Sequence, residues 1–166
     1  MKKLFLCAAL AVCSFASVNA QSFNGGLSAA LPMGDAGDIS SFGVNLDVNY
    51  LWEVSEEFNV GLAAGYHHYF GSEEEIPFFG TVEYDDFGFL PIGGAARFSA
   101  SEKFIIGLDL GYAIGISPDG NDGGFYYAPK VQYAITESLD IVIAYKGISR
   151  DGGSFDALSL GVEFGL

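Results

Sequence analysis

An all-β fold, an eight-stranded antiparallel up-and-down barrel that crosses a membrane, is predicted by three observations. Hydrophobic residues alternate with a period of two in about eight segments, short connections alternate with longer ones, and a bulky apolar face opposes a slim polar face. The stretch FGVNLDVNYLW carries the alternation most clearly. Phe42, Val44, Leu46, Val48, Tyr50 and Trp52 share one face and Gly43, Asn45, Asp47 and Asn49 the other, as the two-residue side-chain repeat of a strand requires. Its length suits the roughly 9 to 11 tilted residues with which a strand crosses a bilayer.

The other strands follow in order. SFNGGLSAAL from Ser22 is Gly-rich and the weakest; FNVGLAAGYHHYF from Phe58, FLPIGGAARF from Phe89 and FIIGLDLGYAIGI from Phe104 follow the clear copy. FYYAPKVQYAI from Phe125, SLDIVIAYKG from Ser138 and ALSLGVEFGL from Ala157 complete the set. The connections around EVSEE, SASEK and TES are tight, whereas PMGDAGDIS, GSEEEIPFFGTVEYDD, SPDGNDGG and SRDGGS are longer or richer in Gly and acid. Short turns on one rim and long loops on the other is the layout of an outer-membrane barrel.

Volume decides which face points outward. The interior of an eight-stranded barrel is only just wide enough for side chains to fill it. The polar face consists mostly of Gly, Ala, Ser, Asn and Asp, while the large apolar face would not fit inside. Aromatics also mark the ends of the apolar runs, as in Phe58 and Tyr66, Phe104 and Tyr112, or Phe125 and Tyr133, and such girdles sit at the two membrane interfaces. The alternative is a secreted calycin-like barrel that buries the apolar face around a pocket.

Residues 1–20 read as a secretory signal peptide, with Lys2 and Lys3 before an apolar run too short to span a bilayer and small residues up to Ala20. Residues 21–166 then form the barrel domain. Both cysteines, Cys7 and Cys13, fall in the leader, so the mature chain has no disulfide or thiol chemistry. A lipoprotein reading would keep Cys13, but Val12 stands where the attachment motif needs a small residue. Without Lys2 and Lys3, five basic residues face 21 acidic ones, a net charge of −16. Nucleic acid is therefore excluded as a partner, since its binding rests on Lys and Arg at phosphates.

The leader ending SVNAQ, the eight alternating strands, the short-turn and long-loop alternation and the closing strand LSLGVEFGL together resemble small outer-membrane barrels of the OmpX and OmpA transmembrane-domain type. The NAQ junction resembles secretory signals of the Bacteroidetes group. The likeness covers essentially the whole mature chain and implies a monomer in the outer membrane, surrounded by lipid and lipopolysaccharide. It also implies recognition of the last strand by the barrel-insertion machinery during biogenesis. That strand usually finishes on an aromatic residue; here Leu166 is terminal and Phe164 lies two residues earlier.

The period-two assignment turns Asp47, Asp109, Asp140 and Glu163 into the lumen together with Arg97, Lys130 and Lys146. Buried charges must be paired, so an internal ion-pair network that plugs the barrel is expected, with a conductive path as the alternative. Strand direction puts Arg97, Asp140 and Glu163 near the short-turn end and the other four nearer the middle. His67 and His68 are adjacent, hence on opposite faces, and interfacial packing is the expectation for both. A sharper alternative borrows the Ser/His/Glu arrangement of lipid A deacylases from His68, Ser72 and Glu73, although the close His-x-Ser spacing is absent. Glu73, Glu74, Glu75, Glu83, Asp85 and Asp86 make one outer loop strongly acidic, a solvated loop or a site for divalent cations. DGNDGG, from Asp119 to Gly124, lacks the helices and final glutamate of a calcium loop and reads as a turn. Pro91 and Pro129 cannot donate to a ladder, so each should mark a bulge, a gap or a position on the rim. No cofactor, metal or catalytic residue is called for. The expected role is structural, adhesive or surface-interacting through the outer loops. A narrow channel or carrier for small solutes and a lipid A-modifying enzyme are the alternatives.

Overall fold

The computed structural model describes residues 21–76, 80–150 and 152–166; the proposed signal peptide lies outside them. The chain runs β1 (Gln21–Met33), a short helix α1 (Asp35–Ile39), β2 (Ser40–Ser55), β3 (Phe58–Gly71), β4 (Glu73–Ile76), β5 (Gly80–Glu83) and β6 (Phe87–Ser99). It continues through β7 (Phe104–Ser117), β8 (Gly124–Thr136), β9 (Leu139–Arg150) and β10 (Gly153–Gly165). Eight strands close into one barrel in the order β1-β10-β9-β8-β7-β6-β3-β2. Every neighbouring pair is antiparallel, and β1 completes the ring on β10 from Asn24↔Gly165 to Met33↔Asp156. Closure matters because every backbone polar group in hydrocarbon must be paired within the protein, which an open edge forbids.

The connections β2/β3, β6/β7 and β8/β9 lie on the short-turn rim, and β1/β2, β3/β6, β7/β8 and β9/β10 on the long-loop rim, which faces the exterior in this class of barrel. The β3/β6 connection holds an element that its acidity concealed, the separate two-stranded hairpin β4-β5. Helix α1 sits in the β1/β2 connection and tucks Ala36 and Ile39 against the lumen core.

Sidedness is unambiguous. Leu62, Leu31 and Leu160 on the outward face are 61, 60 and 58% exposed, while inward Asn45 and His67 are fully buried. A continuous apolar exterior of this extent is a surface for hydrocarbon. Aromatic belts mark its edges. On the short-turn side Phe23 pairs with Tyr50, Phe58 with Phe98 and Phe104 with Tyr133; on the long-loop side Phe42 neighbours Phe70 and Tyr112 pairs with Phe125.

Neither Pro91 nor Pro129 occupies a rim. In the β3/β6 ladder the pairing lapses between Ala64↔Ile92 and His67↔Phe89, opposite Pro91, and in β8/β9 it lapses between Tyr127↔Gly147 and Lys130↔Ala144, opposite Pro129. Each proline thus makes a gap on one side of its strand, as a missing N–H donor dictates. The register is unbroken across both gaps.

The lumen is divided along its axis. Toward the long-loop end Tyr69, Phe89 and Phe155 cluster, with Tyr69 4.7 Å and Phe89 5.2 Å from the Phe155 ring. Phe87 stacks on the same group, and Arg150 lies 5.9 Å above both the Phe87 and the Phe155 ring, within cation–π range. Below this aromatic cap the lumen is polar.

Replacing Leu160 by Arg on the lipid-facing side should cost about 2–4 kcal/mol. Urea unfolding in lipid vesicles checks this; a variant as stable as the parent would contradict the outward placement.

Candidate functional site

The polar lumen is a set of braces built from facing strands. In the upper group Asp47 of β2 accepts from Lys146 of β9 at 2.6 Å and contacts His67 Nε2 of β3 at 2.9 Å. Strands β2 and β9 are not neighbours in the barrel, so the Asp47–Lys146 pair spans the lumen. In the second group Asp109 of β7 takes Arg97 Nη1 of β6 on one oxygen at 2.6 Å and Lys130 Nζ of β8 on the other at 2.5 Å. In the third, near the short-turn end, Glu163 of β10 accepts from Asn49 Nδ2 at 2.9 Å and Gln132 Nε2 at 2.8 Å, and Asn24 donates to Asn49 at 2.8 Å.

Small residues make room for these long side chains. A Cβ on Gly65 would stand 2.6 Å from Asp47 Oδ1, and one on Gly107 would stand 2.8 Å from both Arg97 Cδ and Lys130 Cγ. Glycine at these inward positions is therefore a steric condition of the network. Two voids among the described residues, of about 10 and 20 Å³, are both bordered by Asp47 and Lys130, each near the size of a single water.

Five of the seven inward charges anticipated from periodicity, Asp47, Arg97, Asp109, Lys130 and Lys146, meet in ion pairs. Glu163 is buried but held by neutral amides, and Asp140 makes no ion pair among the described residues. The reason lies in register: Asp140 is the cross-strand partner of Glu163, so each has an acid for a neighbour. Asp140, one residue into β9 at the open short-turn rim, is partly exposed and reaches water instead.

The two histidines separate. His68 faces outward at the interface, where its Nε2 lies 3.2 Å from Asp86, whereas His67 is fully buried in the network and not at the interface. His67 shares the parity of Tyr69 and of no outward residue in β3, a signal that strand alternation already contained. Ser72 Oγ donates to the Asp38 carbonyl at 3.0 Å and His68 engages Asp86. The triad types drawn from the sequence are thus not assembled with one another. Among the described residues no group of three or more His, Cys, Asp or Glu is arranged to hold a metal. The DGNDGG segment is a turn, with Gly120 and Gly123 at φ 88 and 73°. The aromatic cap and Arg150 were not anticipated. Phe89 shares the parity of Arg97, so its inward direction was readable once Arg97 was placed.

A closed eight-stranded barrel with an apolar exterior, aromatic belts and an ion-paired interior is a membrane-spanning barrel of the outer-membrane type. The chain belongs to the family of outer membrane protein β-barrel domains, whose model matches residues 5–165. Its fold is similar to that of Ail, the attachment invasion locus protein of Yersinia pestis. The Ail backbone in a phospholipid nanodisc has a TM-score of 0.61 at 14% identity, covering 89% of this chain and 100% of that one. The Ail crystal structure has a TM-score of 0.57 at 14% identity, covering 88 and 97%. A de novo designed transmembrane β-barrel has a TM-score of 0.55 at 12% identity, covering 87 and 95%. No curated protein matches the sequence.

Asp109→Leu strands Arg97 and Lys130 in the lumen and should cost about 3–5 kcal/mol. Removing the partly exposed Asp140, which makes no ion pair among the described residues, by the same substitution should cost far less. Equilibrium unfolding of the two variants in the same detergent checks the difference, and equal losses would contradict the pairing.

Proposed function

We infer that this outer-membrane protein is a closed, non-conducting barrel that acts through its external surface. The observation that carries the reading is the filling of the lumen: an aromatic cap with Arg150 over it, ion-paired braces beneath, and water-sized voids of about 10 and 20 Å³ beside Asp47 and Lys130. Desolvated, paired charges behind an apolar layer leave no route for a hydrated ion. Lipid and lipopolysaccharide surround the monomer, and β10 is the strand read by the barrel-insertion machinery.

The external surface is held rather than free. Ser72 N donates to the Ile39 carbonyl and Tyr84 N to the Ser72 carbonyl, both at 3.0 Å, which ties α1 to the base of the β4-β5 hairpin. Gly71 N donates to Asp86 at 2.9 Å beside the His68 contact. A fixed surface loses little entropy on binding, which favours a structural, adhesive or recognition role. The loops are acidic, so their counterpart is neutral or basic. Ail has been crystallised in complex with the heparin analogue sucrose octasulfate; a sulfated ligand of that kind opposes the acidic loops here. Catalysis forms no part of this reading: Ser72 bonds to the Asp38 carbonyl and His68 to Asp86 rather than to each other.

Refolded protein in a planar bilayer should give no stable conductance steps. Steps of constant size from pure protein would defeat the reading and favour a narrow channel or carrier.

A further inference from the structure

Asp156 breaks the rule that the rest of the exterior obeys. In β10 the buried, inward residues are Phe155, Ala157 and Ser159, so Asp156 shares the outward face with Leu158 and Leu160. Among the described residues it is the one acid on the outward face of the eight barrel strands. A carboxylate turned toward lipid is strongly disfavoured unless something polar meets it, and such a residue marks a site. It lies three residues into β10, about 10 Å along the strand from the long-loop rim at 3.3 Å per residue, just beneath the Tyr112–Phe125 aromatic belt that marks the headgroup boundary.

Its surroundings are built. Ser154 Oγ donates to Asp156 Oδ2, and the Tyr127 hydroxyl reaches Oδ1 at 3.4 Å. Gly147 stands between Tyr127 and Asp156 in register. A Cβ there would lie 2.2 Å from Tyr127 Cζ, so the phenol crosses the glycine to arrive at the carboxylate. One step nearer the rim, Tyr112, Phe125, Ser149 and Ser154 form a cross-strand row over four strands, two aromatics followed by two hydroxyls. That row borders an open cleft of about 590 Å³ between the β7/β8 and β9/β10 connections, to which Asp35, Asp122 and Arg150 bring charges of both signs.

We propose that this outward surface of β7 to β10 binds the sugar headgroup of an outer-leaflet glycolipid, with Asp156 at its base and the cleft above it. This rests on the reading that the protein acts through its external surface. Aromatic walls, hydroxyls, carboxylates and a guanidinium together supply the stacking, donors and acceptors that a polyhydroxylated ring needs. The cleft falls within the 300–1,000 Å³ of ordinary ligand sites, far more than an ammonium requires, and Asp35, Asp122 and Arg150 on its wall offer acceptors and a donor to the neutral hydroxyls of a sugar ring. A lipid is the occupant because the base of the site faces the bilayer, where the acyl chains of a bound glycolipid lie along Leu158 and Leu160. Asp156 takes hydrogen bonds from ring hydroxyls.

The test is native mass spectrometry of the full chain released from phosphatidylcholine nanodiscs doped equally with lipopolysaccharide, phosphatidylglycerol or phosphatidylethanolamine. Lipopolysaccharide should be retained in preference to both phospholipids. Asp156→Asn and Tyr127→Phe should lower its retention, by about tenfold for the loss of the charged acceptor. Unchanged far-UV circular dichroism and melting show that both variants remain folded, and Tyr127→Phe stays informative if Asp156→Asn does not fold. Equal retention of phosphatidylglycerol, preference for phosphatidylethanolamine, or wild-type retention by a folded variant would each overturn the proposal. Delipidated core oligosaccharide should compete poorly; binding as tight as that of the intact glycolipid would overturn the assignment to a membrane lipid. Conductance is indifferent to all of these outcomes, so the closed lumen stands or falls separately.

Discussion

The radius of an eight-stranded ring constrains everything else in this molecule. Eight tilted strands leave a lumen that side chains fill, so the large apolar residues can only face outward and the interior must be packed from what remains. Where long charged side chains meet, glycine is required: Gly65 beside the Asp47–His67 contact and Gly107 beneath Arg97 and Lys130. Filling the lumen with charge then imposes pairing, because an unpaired ion in that space loses its hydration with no compensation. The braces Asp47–Lys146 and Arg97–Asp109–Lys130 follow from geometry and desolvation together.

The aromatic cap answers a separate demand. At the short-turn end the lumen can stay polar, since Glu163 is bonded by Asn49 and Gln132 and Asp140 remains partly hydrated. At the long-loop end Tyr69, Phe89 and Phe155 exclude water, while Arg150 places its cation on the ring faces of Phe87 and Phe155. The cation–π contacts let a charged residue finish an apolar layer without a carboxylate. Helix α1 closes over the same cluster through the fully tucked Ala36. Sealing and bracing are thus done by different residues in different parts of one cavity.

The sequence made the barrel legible because strand parity is a local property. Phe42 to Trp52 alone separates lipid from lumen, and the alternation of TES with SPDGNDGG separates the two rims. Parity also placed Asp47, Arg97, Asp109, Lys130 and Lys146 inside, but parity is blind to height and register. It could not reveal that Asp140 stands opposite Glu163 rather than opposite a base. Nor could it locate the ladder gaps at Pro91 and Pro129, which depend on the side of each strand that lacks a donor. The β4-β5 hairpin escaped because four-residue strands carry too few alternations to stand out in an acidic run. Asp156 escaped because the sequence starts the last alternating run at Ala157, whereas β10 begins at Gly153, which leaves Asp156 without an assigned face.

The polar lumen also explains how a chain buried on both sides can retain a half-polar sequence. A strand covered on both faces by apolar material reads as a continuous hydrophobic run, and a run of that kind aggregates or enters a membrane as a helix before any barrel can close. Turning Asn, Asp, Lys and Arg inward interrupts each run at every second residue. In FGVNLDVNYLW the residues Asn45 and Asn49 are buried and Asp47 is half-buried in the closed ring, yet they keep the unfolded strand amphipathic. The ion pairs need not contribute net stability to be required: a well-packed apolar lumen could be equally stable, but its strands would lose the alternation that distinguishes an inside from an outside.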